Sequence, residues 1–298
     1  MQENSCIFVS SRGIAKSCKY RDPNLRSSDQ EIRYTINDPK KVYSFLHEAP
    51  YTVYASTNAL REFTTTLLPS LRSKFILVTG DSDLIVPNNC MEYARILLAT
   101  PHLVAWFAQN CFGGHPKLHQ IPIGLDYHTL SVPGGHPWGP SAHPIDQEVM
   151  LTGIKQTALP LAARRIKCYG NFHFNWYASD ERKEALQTIR SDVIDYQTQA
   201  LQRIDTWKEM AKYAFIPSPK GAGPDCHRTW EALVLGCIPI VHKSPLDPLF
   251  EGLPVWIVDS WSDITPEHMT EQVARFQATS FDYSKLYLKT WIKKLYSI

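Results

Sequence analysis

Apolar residues along the chain fall into short runs with two periods. Runs rich in β-branched and aromatic residues and bounded by turn residues predict strands at 7–9, 51–56, 75–79, 103–107, 166–172, 193–196, 214–217, 238–242 and 255–258. Segments with helical spacing predict helices at 38–48, 60–71, 89–98, 179–190, 198–212, 225–235, 267–276 and 283–295. Residues 113–146 are rich in Gly, Pro and His and lack periodicity apart from a strand-like piece at 120–123, which predicts a loop leading into a linker. Strands alternating with helices predict parallel sheets covered on both faces, an α/β protein with ligands at the carboxyl ends of the strands.

Length and composition narrow this picture. The 298 residues suit two domains of roughly 150 residues each. Hydrophobic residues at 44% and charged residues at 20% exclude a disordered chain. A net charge of +2 without like-charge blocks argues against a nucleic-acid binder. No apolar run is long enough for a transmembrane helix, and the first residues read as a strand and not a signal peptide. Seven scattered cysteines without a CxxC pair predict reduced thiols, a cytoplasmic setting and no zinc site.

The chemistry concentrates at 215–239, FIPSPKGAGPDCHRTWEALVLGCIP. A strand ends at Pro217, and a loop with Lys220, Gly221 and Gly223 leads into a helix stopped by Gly236. Glycines let backbone N–H groups approach an anion at a helix N-terminus. On the helix, His227, Arg228 and Glu231 share one face, while Trp230, Leu233 and Val234 take the buried one. That surface offers cations to a diphosphate and, one turn further, a carboxylate to the hydroxyls of a ribose. A surface helix with an Arg–Glu pair is the bland alternative. A dinucleotide fingerprint is disfavoured, because the third glycine is missing.

Gly221, Gly223, Arg228, Glu231-Ala232-Leu233 and Gly236-Cys237-Ile238-Pro239-Ile240 resemble the C-terminal signature of the exostosin family of glycosyltransferases, the short soluble members from large algal viruses in particular. The resemblance is specific over 215–259. It is looser at Gly80-Asp81-Ser82-Asp83 and Gln109-Asn110. It implies a GT-B architecture, two Rossmann-like domains facing a central cleft, and an inverting transfer from a UDP-sugar to an oligosaccharide acceptor without an obligatory metal or other cofactor. It also implies a ribose-binding Glu231 and a diphosphate-binding Arg228, and among donor sugars it points to xylose. The chain departs from the family where Pro239 replaces a second Glu, and it lacks the membrane anchor of the Golgi members. The domains expected are 1–145 for the acceptor and 146–275 for the donor, with 276–298 packing back on the first.

Three further groups complete the expected site. Asp81-Ser82-Asp83 follows a buried strand, so Asp81, and after it Asp83, is the candidate general base. Loop caps and a metal-binding DxD of the GT-A type are the alternatives. Asn171, His173 and Arg182, with Arg164 and Lys167, could contact the donor. Ser11, Arg12, His115 and Asp126 could contact the acceptor, whereas His115, His119, Asp126 and His128 fit no standard metal spacing. A non-catalytic nucleotide-sugar-binding module and an oxidoreductase are the competing functional classes.

Overall fold

The computed structural model describes residues 3–21, 51–172 and 180–298. The helix expected at 38–48 and the residue His173 lie outside them.

Two parallel sheets organise the chain. The first has four strands in sequential order, β1 (Tyr51–Ser56), β2 (Phe75–Gly80), β3 (Leu103–Ala108) and β4 (Leu118–Gln120). Every residue of β1 and β2 is buried, which explains their unbroken apolar runs. Ser56 lies opposite Gly80, and Thr79 opposite Ala108, so the carboxyl ends of these strands finish level. The second sheet comprises β5 (Arg165–Gly170), β6 (Ile194–Tyr196), β7 (Tyr213–Pro217), β8 (Ile238–His242) and β9 (Trp256–Val258), in the order β6-β5-β7-β8-β9. The chain leaves β5 for a strand on one side and returns to β7 on the other. The crevice beyond the ends of β5 and β7 is therefore a topological switch point, where α/β sheets bind ligands.

Helices cover both sheets. Those of seven residues or more among the described residues are α1 (Ser11–Ser17), α2 (Met91–Ala99), α3 (Pro144–Thr157), α4 (Asp180–Thr188), α5 (Arg203–Met210), α6 (His227–Val234), α7 (Pro266–Ala278) and α8 (Leu288–Leu295). Helix α6 ends as its sequence predicts. Gly236 takes φ +75°, and the Cys237 N–H reaches back to the Ala232 carbonyl at 2.9 Å. The Arg164 guanidinium locks the same end by donating to the Leu235 carbonyl (2.9 Å), so it serves the fold. Lys167 pairs across the sheet with Asp195 (2.9 Å).

Three apolar cores result. One lies on a face of the first sheet around Phe63, Phe75 and Trp106, and one on a face of the second around Phe215, Trp256 and Trp261. The third joins the halves: Val9, Ile14, Val78 and Phe107 pack in one cluster with Ile216, Trp230, Leu233 and Trp291. Helix α8 belongs to it, and the adjoining Val9 N–H bonds the Leu286 carbonyl (2.9 Å) while Leu288 N–H bonds the Ile7 carbonyl (2.9 Å). No helix among the described residues is long and apolar enough to cross a membrane. All seven cysteines are free.

Two expectations about elements fail. Residues 7–9 form isolated bridges, from Phe8 to Tyr287 and next to it from Ser10 to Gly124, and no strand. Ser10, which follows them, is the N-cap of α1, its hydroxyl accepting from Gly13 N–H at 3.0 Å. Helix α3 stands where a linker was expected to run on from 146. Its inner face mixes Leu151 with the polar Gln147 and Glu148, which blurs the apolar period. Glu148 accepts from Ile7 N–H (2.9 Å), Phe8 N–H (2.9 Å) and the Tyr127 hydroxyl (2.8 Å). Gln147 donates to the Tyr127 carbonyl (2.8 Å).

Candidate functional site

A cleft of about 450 Å³ opens at the switch point and is lined from both halves of the chain. The loop from Pro217 to α6 forms one wall, and its two glycines have distinct physical reasons. A Cβ on Gly221 would lie 2.8 Å from Arg182 Nη2, so glycine leaves room for that guanidinium against the loop. A Cβ on Gly223 would lie 3.0 Å from Asp83 Oδ1 and 3.0 Å from Asn110 Nδ2, so glycine lets the loop meet the first sheet. The Asp225 N–H donates to Asn110 Oδ1 (3.1 Å), and Asp225 Oδ2 accepts from Ile123 N–H (2.7 Å). Asp225 Oδ1 accepts from Trp230 Nε1 (2.9 Å), and burial raises its pKa to about 6.

Arg228 supplies the cleft with a cation that no carboxylate neutralises directly among the described residues. Its guanidinium lies over the Phe172 ring (5.6 Å) and only grazes Ser218 Oγ (3.5 Å). Burial, with Arg182 beside it, pushes its pKa down to about 10, so it stays charged at neutral pH. Asn171, just past β5, also faces the cleft, and its Oδ1 is buried without a hydrogen-bond partner among the described residues.

One turn along α6, Glu231 enters a buried network. Arg203 on α5, 7% exposed, donates through Nη1 to Glu231 Oε1 (3.2 Å) and the Asp126 carbonyl (2.8 Å), and through Nη2 to Asp126 Oδ2 (2.7 Å). Burial raises the Glu231 pKa, and Arg203 opposes it. Burial works the same way on Asp126, but Arg203 and His128 outweigh it and hold that carboxyl well below its usual range. His227 Nδ1–H donates to the Gly124 carbonyl (2.7 Å), and burial pushes its pKa down to about 4, so the ring is neutral.

Asp126, His128 and His227 hold potential ligand atoms within 4.8 Å of one another. Their present bonding suits a hydrogen-bond network better than a metal. Asp126 Oδ1 already takes Thr129 N–H (3.0 Å) and His128 (2.9 Å), its Oδ2 takes Thr129 Oγ1 (2.7 Å) and Arg203, and Arg203 would repel a dication.

The cleft thus gathers Asp83, Asp126, Asn171, Arg182, Gly221, Gly223, His227, Arg228 and Glu231 of the expected site. Asp81, Lys220, Ser11, Arg12 and His115 are not among its lining residues. Asp81 itself makes the left-handed turn after β2 (φ +51°), and its carboxylate faces Arg12 Nη2 (3.4 Å). Arg12 is 2% exposed inside α1, and Ser11 is buried beside it. His115 stays in the β3–β4 loop, where its Nδ1 accepts from Lys117 N–H (3.1 Å). Lys220 lies 3.7 Å from Glu181 and lines a neighbouring cavity of about 330 Å³. Trp138, Arg203, Thr206 and Trp207 line the cleft without having been expected. The i, i+3, i+4 spacing of the last three was a legible signal, but nothing in the sequence says which face of α5 meets the cleft.

No family model matches the chain, and no curated protein matches it.

Proposed function

We propose that the protein is a nucleotide-sugar glycosyltransferase of GT-B architecture that moves a sugar, with xylose the first to try, from a UDP-sugar to a hydroxyl of an acceptor glycan with inversion. The observation that carries this reading is the charge arrangement of the cleft: Arg182 and Arg228 at the glycine loop, and Glu231 one helical turn away. A diphosphate at the two arginines gains hydrogen bonds to charged donors, the strong kind. The nucleoside then extends along α6 to Glu231, which accepts from ribose hydroxyls.

An inverting displacement needs a base on the acceptor side, within roughly 2.6–3.2 Å of the attacking hydroxyl. Asp83 is the better placed of the two sequence candidates, because it lines the cleft while Asp81 faces Arg12. Burial raises the Asp83 pKa, the direction that strengthens a carboxylate as a base. As the diphosphate leaves it gains charge, and Arg182 and Arg228 are positioned to stabilise it.

Calorimetric titration with UDP tests the reading, together with slow hydrolysis of UDP-sugars. Wild-type protein binds UDP, and Arg228→Met weakens it about a hundredfold, the loss of a charged contact. Folding stability should change little, because a half-buried cation without a direct carboxylate partner is replaced by an apolar chain that can keep the packing on Phe172. A wild-type protein that binds no uridine nucleotide overturns the proposal. Binding without hydrolysis or transfer favours the non-catalytic module.

A further inference from the structure

We infer that His227 binds the transferred sugar: its Nε2 lone pair accepts a hydrogen bond from a hydroxyl of the sugar carried on the diphosphate. The inference rests on the reading above and extends it to the sugar, the part of the donor that Arg182, Arg228 and Glu231 leave without a partner.

The tautomer is the first argument. His227 Nδ1 lies 2.7 Å from the Gly124 carbonyl oxygen, which can only accept, so Nδ1 carries the proton. A neutral imidazole then keeps its lone pair on Nε2. Burial favours the neutral ring and outweighs the pull of Asp126, holding the pKa at about 4. Nε2 makes no hydrogen bond among the described residues and is not shut off from solvent, and the ring lines the cleft. Asp126, close by, commits its oxygens to Thr129, His128 and Arg203.

The chemistry of the ligand is the second. A diphosphate at neutral pH offers only acceptor oxygens, so a neutral Nε2 cannot bind it and needs an O–H instead. The ribose hydroxyls go to the Glu231 carboxylate, the stronger acceptor. The position of His227 selects the sugar. It is the first residue of α6, close to the glycine loop that meets Asp83 at Gly223, whereas Glu231 lies one turn farther from that loop. In the proposed displacement the sugar sits between the diphosphate and Asp83, so its hydroxyls come to this end of the helix.

Preorganisation is the third. Gly124 takes φ +66°, and a Cβ there would lie 2.2 Å from the Val9 carbonyl oxygen, so only glycine lets this segment press against the chain before α1. Its neighbours are bonded on both sides. Ser11 N–H donates to the Ile123 carbonyl (2.8 Å), Leu125 N–H to the Val9 carbonyl (2.8 Å) and Ile123 N–H to Asp225 Oδ2 (2.7 Å). The carbonyl that fixes the tautomer is thus held by its own backbone, and Nε2 can take a hydroxyl without rearrangement.

Calorimetry with UDP, UDP-xylose, UDP-glucose and UDP-galactose, on wild type, His227→Phe and His227→Gln, tests the assignment. For the UDP-sugar that wild type binds most tightly, His227→Phe should weaken binding about tenfold, the loss of one neutral hydrogen bond. UDP affinity should stay within about twofold. His227→Gln, whose Oε1 accepts from a hydroxyl, should recover most of the loss, and His227→Ala carries the same expectation as His227→Phe should the larger ring prevent folding. Unchanged UDP-sugar affinity in the variant without a lone pair overturns the inference while leaving the glycosyltransferase reading intact. So does an equal loss for UDP and UDP-sugar, which would put His227 at the ribose or in the fold. Absence of UDP binding in wild type removes both.

Discussion

The carboxyl ends of the two sheets face each other, yet they treat their polar groups differently. At the first sheet the groups that follow β2 and β3 bond one another, although Tyr54 Oη and Thr57 Oγ1, at the end of β1, are buried without a hydrogen-bond partner among the described residues. Asp81 N–H donates to Gln109 Oε1 (3.0 Å), Gln109 and Asn110 both donate to the Ser82 carbonyl (3.2 and 3.0 Å), and Arg12 faces Asp81. At the second sheet, Arg228 is half-buried without a direct carboxylate partner, and Asn171 Oδ1 is buried without a hydrogen-bond partner, among the described residues. A buried polar group without a partner costs stability, so its persistence points to a ligand that completes it. On the proposed reading the first sheet is mainly a clasp that lends Asp83 to the cleft, and the second, which supplies Arg228 and Asn171 to it, is the binding half.

The comparison can be broken at three places. The largest effect is expected at Arg203, which ties Asp126 of the first half to Glu231 of the second. Arg203→Met leaves two buried carboxylates without their cation and should cost about 3–5 kcal/mol in denaturant unfolding. A cost below about 1 kcal/mol would show that the halves are held by their shared apolar core alone. Next come the two aspartates. Asp83→Asn should lower turnover about a hundredfold or more with UDP binding retained, and Asp81→Asn should leave turnover within a few-fold of wild type. The reverse pattern in steady-state kinetics would move the base to Asp81 and make the first sheet's network catalytic.

The smallest effect is a pH dependence. His227 titrates near 4 in the folded protein, because of burial, against about 6.5 in an unfolded chain. Between those values only the unfolded chain takes the proton. The contribution of His227 to stability should therefore rise with pH from about 4 to 6.5, by about 2 kcal/mol, against the opposite contribution of Asp225, whose pKa burial raises to about 6. His227→Gln should remove the first contribution, so that stability at pH 6.5 relative to pH 4.5 falls by about 2 kcal/mol from its wild-type difference in unfolding experiments. An unaltered difference would place the titrating group elsewhere.

Much of this molecule was legible in its sequence, for local reasons. β1 and β8 fall where their apolar runs predict, because a strand buried on both faces must be apolar throughout. The stop of α6 at Gly236 and the shared face of His227 and Glu231 follow from backbone sterics and from 3.6 residues per turn. Helix α3 was not legible, since Gln147 and Glu148 share its inner face with Leu151, and buried hydrogen bonds leave no sign in the apolar period. The division of labour between Asp81 and Asp83 was not legible either. It depends on Arg12, which is 69 positions away from Asp81 along the chain. Nor was Arg203 legible, a charge whose meaning rests on Asp126, 77 positions before it, and on Glu231, 28 positions after. Sequence sets what a residue can do and which neighbours one turn away can share it. Which distant group satisfies it, and which group is left facing the cleft, is decided only when the two sheets close on their common core.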